Sequence, residues 1–161
     1  MAFNAIFTEI FGTLQADPSL VPGILGSATI DNLRIYRAWP QFESMLTDYE
    51  PNQPSEGWMV IEETDPELGA AQEQYKTIDD ELSILFHVYG TTYSVTHDVL
   101  DILDTYWHWE VDQQRDVKYG DRFLFFTRRW RQFDKYHDTS KMYEKQITYR
   151  MTFVRDVALY P

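Results

Sequence analysis

Four polar side chains between residues 94 and 109 have types and spacing that could bind a metal ion. His97, Asp101, Asp104 and His108 are separated by four, three and four residues, which places them on one face of a helix. Imidazole and carboxylate groups at this spacing are ligands for divalent metals. Four residues on one helix face cannot surround an ion, however, and no second cluster of ligands accompanies them. The alternative interpretation is the solvated face of an amphipathic helix, and we expect no bound metal or cofactor.

A second candidate group combines arginines with aromatic residues between 122 and 135. Basic and aromatic residues together are typical of single-stranded nucleic acid sites, where bases stack on rings and phosphates contact arginines. In a chain with 26 acidic and 14 basic residues, we instead favour pairing of these arginines with carboxylates, within one subunit or across an interface. The candidate residues for an interface between subunits or with a partner are Arg128, Arg129, Arg131, Trp130, Glu62, Glu63, Asp79 and Glu81.

The sequence contains none of the short motifs that announce a common enzyme. There is no G-x-S-x-G for a nucleophilic hydrolase, and neither G-x-x-x-x-G-K-[ST] nor G-x-G-x-x-G for a phosphate-binding loop. The carboxylate pairs Asp79-Asp80 and Glu62-Glu63 would suit acid and base catalysis, but adjacent residues of a strand point to opposite faces. We therefore predict that the chain is not an enzyme. A small metal-dependent enzyme that uses the helix face from His97 to His108 is the alternative from another class.

Hydrophobic periodicity indicates the elements that position these residues. Apolar residues recur at helical spacing in 3–14 and 95–106, with Ser94 as the predicted N-cap of the second helix. Strand-like composition or alternation marks five segments: 33–37, 58–63, 78–89, 123–133 and 143–153. A turn over 134–141 makes the last two a hairpin. We predict an α+β fold, with two helices packed on one face of a mostly antiparallel sheet of about five strands.

The remaining segments are predicted loops within a single domain, residues 1–161. Proline, glycine and polar residues mark long loops at 41–57 and 64–77, a shorter loop at 21–27 and a polar turn at 112–120. Long loops of this kind often carry function. These loops could be ordered only when they contact a neighbouring subunit.

Composition limits the classes of function. The formal net charge of −12 repels nucleic acid phosphates, so a conventional DNA-binding module is not expected. Cysteine is absent, which fits a protein that folds in a reducing cytoplasm. The N-terminal residues lack a basic region and an apolar run long enough to span a bilayer, and we expect no membrane association. Aromatic residues make up 16% of the chain, a fraction that favours oligomerisation because aromatic side chains are enriched at interfaces.

The order of the predicted elements resembles that of the tail terminator and tail completion proteins of long-tailed bacteriophages. The resemblance covers about residues 3–155 and rests on the N-terminal helix, the strand Trp58-Met59-Val60-Ile61-Glu62 and the final hairpin. Its most characteristic parts are the strand Leu82-Ser83-Ile84-Leu85-Phe86-His87-Val88-Tyr89 and the following helix from Ser94 to Trp107, with Val99, Leu103 and Tyr106.

The resemblance implies a structural virion protein that caps the phage tail tube and forms the tail side of the head-tail joint. Such a protein would form a homohexameric ring, contact the tail tube protein and a head-completion or stopper protein, and let DNA pass through its lumen without specific binding. It would be located in the tail or neck of the virion and assemble in the host cytoplasm. The long arginine-rich hairpin and the extended 41–57 loop keep a head-tail stopper or connector subunit of the neck as the alternative.

Overall fold

The structure, a computed structural model, describes residues 3–26, 33–37, 57–63, 79–110, 117–119 and 122–155. Two helices, α1 (Phe3–Ala16) and α2 (Tyr93–Trp107), accompany six strands. The strands are β1 (Ile35–Tyr36), β2 (Gly57–Glu63), β3 (Asp79–Gly90), β4 (Val117–Tyr119), β5 (Arg122–His137) and β6 (Met142–Arg155). An irregular helical segment, Ser19–Ile24, follows α1. None of the described helices has the length and apolar character needed to cross a membrane.

The six strands form one sheet in the order β1-β2-β3-β6-β5-β4. Only β1 and β2 run parallel, and every other pair of neighbours is antiparallel. The predicted α+β class and mostly antiparallel sheet are confirmed, with six strands where the sequence indicated about five. The additional strand, β4, lies within the segment predicted as a polar turn, and its three residues are too few to show an alternating pattern.

Both helices contribute to one core against one face of the sheet, called here the helix face. The buried residues of α1 are Ile6, Ile10 and Leu14, and those of α2 include Val99, Leu103 and Trp107. They join the inward residues of the central strands, among them Ile61, Ile84, Phe86, Ile147, Tyr149 and Met151. The alternation of apolar and polar residues in β3 and β6 is explained by this packing, since alternate residues of a strand lie on opposite faces and only one face contacts the core.

The junction between β3 and α2 depends on two glycines that lie side by side. Gly57 and Gly90 are directly paired in the register of β2 and β3. A Cβ atom on Gly57 would lie 2.7 Å from Cγ2 of Ile24 and 3.3 Å from Cγ1 of Val95. Their missing side chains thus let the first turn of α2 and the irregular segment pack closely on the end of the sheet.

The boundaries of some elements differ from the predicted ones. The N-cap of α2 is Thr92 rather than Ser94, because the Thr92 hydroxyl accepts a hydrogen bond from the Val95 N–H at 3.3 Å. The hairpin strands extend to His137 and from Met142, so its turn is 138–141 and not 134–141. The predicted loops at 41–57, apart from Gly57 in β2, and at 64–77 lie outside the described residues.

Candidate interaction surface

Asp104 of α2 connects the helix to the two strands of the hairpin. Its carboxylate accepts a hydrogen bond from the Tyr149 hydroxyl at 2.7 Å and forms an ion pair with the Arg129 guanidinium. One turn further on, Nδ1 of His108 accepts a hydrogen bond from the backbone N–H of Arg129 at 3.1 Å. Burial and the bond to Asp104 raise the pKa of Tyr149, so this hydroxyl remains a donor. The C-terminal half of α2 is therefore fixed to β5 and β6 by polar contacts.

These contacts separate the four possible metal ligands that the sequence indicated into two pairs with different surroundings. Asp104 and His108 face β5, whereas His97 and Asp101 are exposed and lie 3.7 Å apart as an i,i+4 pair. Within the described ranges, no three His, Cys, Asp or Glu side chains are grouped as a metal site would require. The structure does not bring the four together around one point.

A row of histidines and carboxylates crosses the opposite face of the sheet, called here the second face. Nε2 of His87 lies 2.8 Å from Glu62, and Nδ1 of the same ring lies 3.2 Å from Glu144. Glu144 also contacts His137 at 2.7 Å and accepts a hydrogen bond from Gln146 at 2.8 Å. Residues of four strands are joined in this way, and both His87 and Glu144 are buried.

The row shifts the pKa values of its central members in opposite directions. Burial alone lowers the pKa of His87, but hydrogen bonds and charges from Glu144 and Glu62 outweigh it, and the pKa is raised. Burial alone raises the pKa of Glu144, but the hydrogen bonds from His87, Gln146 and His137 together outweigh it and lower the pKa to about 2. The pair is therefore an imidazolium and a carboxylate in mildly acidic solution.

Beside this row the second face contains a cavity of about 290 Å³ with arginines and aromatic rings in its wall. A bulge between Arg129 and Arg131 adds Trp130 to β5, which reorients the strand at this point. The guanidinium carbon of Arg150 lies 3.4 Å from the centre of the Trp130 ring. The lining residues are Ser83, Leu85, Trp130, Arg131, Phe133, Gln146, Thr148 and Arg150. The strands β3, β5 and β6 thus build a concave, positively charged surface.

The predicted interface residues are distributed over several environments and do not form one cluster in the described structure. Glu62 belongs to the row with His87 on the second face, while Glu63 is exposed on the helix face, as the alternation of a strand requires. Glu81 lies 3.9 Å from Nε of Arg150 at the edge of the cavity. Arg128 is exposed and has no ion pair among the described residues. For Asp79 the structure describes only the backbone, which pairs with Val154.

The arginines of β5 are predicted to pair with carboxylates such as those of 62–63 and 79–81, within one subunit or across an interface. The one ion pair of these arginines that is described within the subunit lies elsewhere. Arg129 pairs with Asp104 of α2, because the end of that helix covers the outer edge of β5. The residues that sequence reasoning missed are His87, His137, Glu144 and Arg150. His87 carries a weak signal, since it is a histidine between the apolar residues Phe86 and Val88, at an outward position of its strand. The pairing of β3 with β6 could not be derived from local pattern.

The hairpin exposes several large apolar side chains. The exposed aromatic residues on β5 are Phe125, Trp130, Phe133 and Tyr136, and each is about half exposed. β4 pairs with β5 only as far as Leu124, and the end of α2 contacts its edge at Thr127 and Arg129. From 130 to 137 no described strand pairs with this edge. Aromatic residues beside an open strand edge are characteristic of an interaction surface.

Comparison with known proteins shows a likeness of structure. No protein-family model matches the sequence, and no curated protein matches it. Among solved structures, a chain from the virion of a native gene transfer agent (GTA) particle superposes with a TM-score of 0.57. The alignment covers 90% of this chain and 91% of that chain at 11% sequence identity. The two chains therefore share a fold over nearly their whole lengths.

Proposed function

We propose that this chain is a structural virion protein, and specifically a tail terminator that closes the last ring of a phage tail tube. Six copies form a ring, which stops tube growth and presents a surface to head-completion proteins, and DNA passes through the lumen. The protein acts in the neck of the virion after assembly in the host cytoplasm. Its role is assembly rather than catalysis.

The observation that carries this proposal is the shared fold with a chain of a GTA virion over nine-tenths of both chains. A match that spans both chains end to end concerns the architecture as a whole rather than a common motif inside it. The tail position and the six-fold ring are inferred from the resemblance of the element order to phage tail terminator proteins.

The exposed hairpin supports the assembly role. A closed ring of identical subunits needs two different surfaces that fit each other after rotation. The edge of β5 with Phe133 and Tyr136 offers one such surface, because it combines backbone groups that no described strand pairs with and aromatic contact area. The net charge of −12 suits a lumen through which DNA slides, since phosphates meet few cations there.

The first test is the mass of the purified protein in solution. Light scattering across a range of concentrations is expected to show a species of about 115 kDa, six copies of the 19.2 kDa chain, and negative-stain images should show a ring with an open lumen. A protein that remains monomeric is then added to tubes assembled from tail tube protein. Rings are expected at one tube end, with tube elongation stopped.

The second test separates the tail terminator from the head-tail stopper or connector. Purified protein is offered in parallel to tailless heads and to headless tails. A terminator binds the tails and makes them competent to join heads, whereas a stopper binds the heads. Failure to bind either particle, together with a monomeric mass, would refute both roles.

A further inference from the structure

We infer that the cavity of the second face is a socket for a carboxylate-bearing segment of a neighbouring copy of this chain. The inference rests on the proposed ring and identifies one half of its subunit interface. The socket consists of Arg131 and Arg150 as the anion-binding groups and Trp130 and Phe133 as its apolar walls.

The charge of the socket is opposite to that of the molecule. Two guanidinium groups line the cavity, and none of its eight lining residues is acidic. Arg131 is exposed and has no ion pair within the described part of the chain. Nε of Arg150 is buried and donates no hydrogen bond, and its nearest carboxylate oxygen, on Glu81, is 3.9 Å away. The site therefore contains donors that no described group satisfies.

The aromatic walls orient these N–H donors so that they can bind a carboxylate. The Arg150 guanidinium lies over the Trp130 ring at 3.4 Å, and stacking of this kind occupies the face of the group while its N–H donors remain in the plane. Trp130 and Phe133 are 51% and 57% exposed, so a partner that covers them also removes water from the arginines. A charge-assisted hydrogen bond in such surroundings is stronger than one in open solvent.

The size of the cavity fits a short stretch of chain. Its volume of about 290 Å³ lies just below the roughly 300–1,000 Å³ that ligand pockets span. One or two side chains fill such a space, whereas a folded element does not. A loop or strand end that presents an Asp or Glu side chain is the expected occupant.

Charge complementarity favours a second copy over nucleic acid. Each copy carries 26 acidic residues against 14 basic ones, so a neighbouring copy offers many more carboxylates than cationic groups. The same net charge of −12 repels a phosphate backbone before it reaches two arginines. A local positive site on an acidic molecule directs copies into one relative orientation, because other contacts place like charges together.

Chemical cross-linking tests the socket directly. The substitution Arg131→Lys places an amine in the cavity, and a carbodiimide couples an amine to a carboxylate within bonding distance. Equal amounts of ¹⁴N- and ¹⁵N-labelled variant are mixed under the conditions that give the ring, in solution or on tail tubes. We expect mixed-isotope peptides that join the amine introduced at position 131 to an Asp or Glu of the other copy. The matched control, Gln132→Lys, places the amine on the same strand but on the helix face, because Gln132 pairs with Ile147, and its mixed-isotope yield should be several times lower.

Charge reversal gives an independent measurement. Arg131→Glu is expected to raise the concentration at which the protein assembles by about tenfold, and Gln132→Glu, on the helix face of the same strand, by less than about threefold. Both residues are exposed, so unchanged melting temperatures should show that the variants fold.

Rings that form equally well with Arg131→Glu, together with an Arg131→Lys variant that gives no cross-links, would overturn the socket and leave the proposed function standing. Absence of any ring, in solution or on tubes, would overturn the proposed function as well. Loss of DNA retention in Arg131→Glu, with assembly unchanged, would assign the cavity to nucleic acid instead.

Discussion

His87 and Glu144 give the second face a stability that depends on pH. The raised pKa of His87 means that the folded state holds its proton more tightly than the unfolded chain, whose ordinary value is 6.5. This stabilisation is complete below pH 6.5 and is lost as the pH rises through the raised value. Glu144, with a pKa of about 2 against an ordinary 4.5, stabilises the fold above pH 4.5 and loses that contribution as the pH falls towards 2. Both contributions are present together between about pH 4.5 and 6.5.

Replacement of His87 with glutamine should therefore be most damaging in mildly acidic solution. At about pH 5.5 the variant leaves the buried Glu144 without its imidazolium partner, and we expect the free energy of unfolding to fall by roughly 3 kcal/mol. At about pH 9 the difference from the natural chain should be smaller, because the proton on His87 contributes less stability as the pH rises through its raised pKa. Urea denaturation at the two pH values measures this.

An exposed histidine provides the control for that prediction. His97→Gln changes a side chain that is 49% exposed, and its effect should stay below about 0.5 kcal/mol at both pH values. An equal loss for His87→Gln in acidic and in alkaline solution would contradict the ion-pair explanation and indicate a role in packing alone.

The strand ends and the first turn of α2 depend on the paired glycines. Gly57→Ala introduces a methyl group 2.7 Å from Ile24, and neither the sheet nor the helix can move away without disturbing the core. We expect a loss of about 1–3 kcal/mol in the free energy of unfolding, as overpacking of a core typically costs.

The same substitution in α1 should have the opposite sign. A Cβ atom on Gly12 would meet nothing within 4 Å, and the residue is exposed in the middle of the helix. Gly12→Ala should stabilise the protein by roughly 0.5–1 kcal/mol, because alanine loses less backbone freedom on folding. Thermal denaturation of the two variants beside the natural chain makes the comparison. A destabilised Gly12→Ala, or a neutral Gly57→Ala, would show that the described packing is wrong.

Elements with a long uninterrupted pattern could be predicted from the sequence. β3, β6 and α2 have apolar residues at regular spacing along most of their length, and the structure has each of them close to the expected bounds. The irregular segment Ser19–Ile24 and β4 could not be recognised, since their few residues take their conformation from tertiary contacts. The N-cap was misplaced by two residues because Thr92 and Ser94 are both suitable caps.

The candidate surface was predictable only in part. Trp130 and Arg131 were indicated by their residue types, and the structure places both in the wall of the cavity. Their neighbour Arg150 and the row from Glu62 to His137 depend on strand order, which places β6 between β3 and β5. Glu144 and His87 are 57 residues apart, and no local pattern reports a contact over that distance.

The whole molecule combines a strongly acidic chain with a hairpin that carries exposed arginines. Far from the surface the net charge of −12 dominates, whereas a ligand at the hairpin meets Arg128 and Arg131 first. In the proposed ring, the balance of these two effects would decide whether DNA is retained or only passes through the lumen. Two exposed arginines release few counterions, and the affinity they supply is too small to offset repulsion by the remaining surface.

We therefore expect no stable complex with DNA at physiological salt. Fluorescence anisotropy with a labelled duplex of about 40 base pairs, at roughly 0.05–0.2 M salt, should give a dissociation constant above about 10⁻⁴ M, weaker than ordinary non-specific binding. The double variant Arg128→Glu, Arg131→Glu should behave like the natural chain, because these residues do not hold DNA. An affinity that falls steeply with salt, and that the double variant abolishes, would instead mean that the hairpin binds the nucleic acid. Such affinity would favour the stopper or connector alternative over the proposed tail terminator.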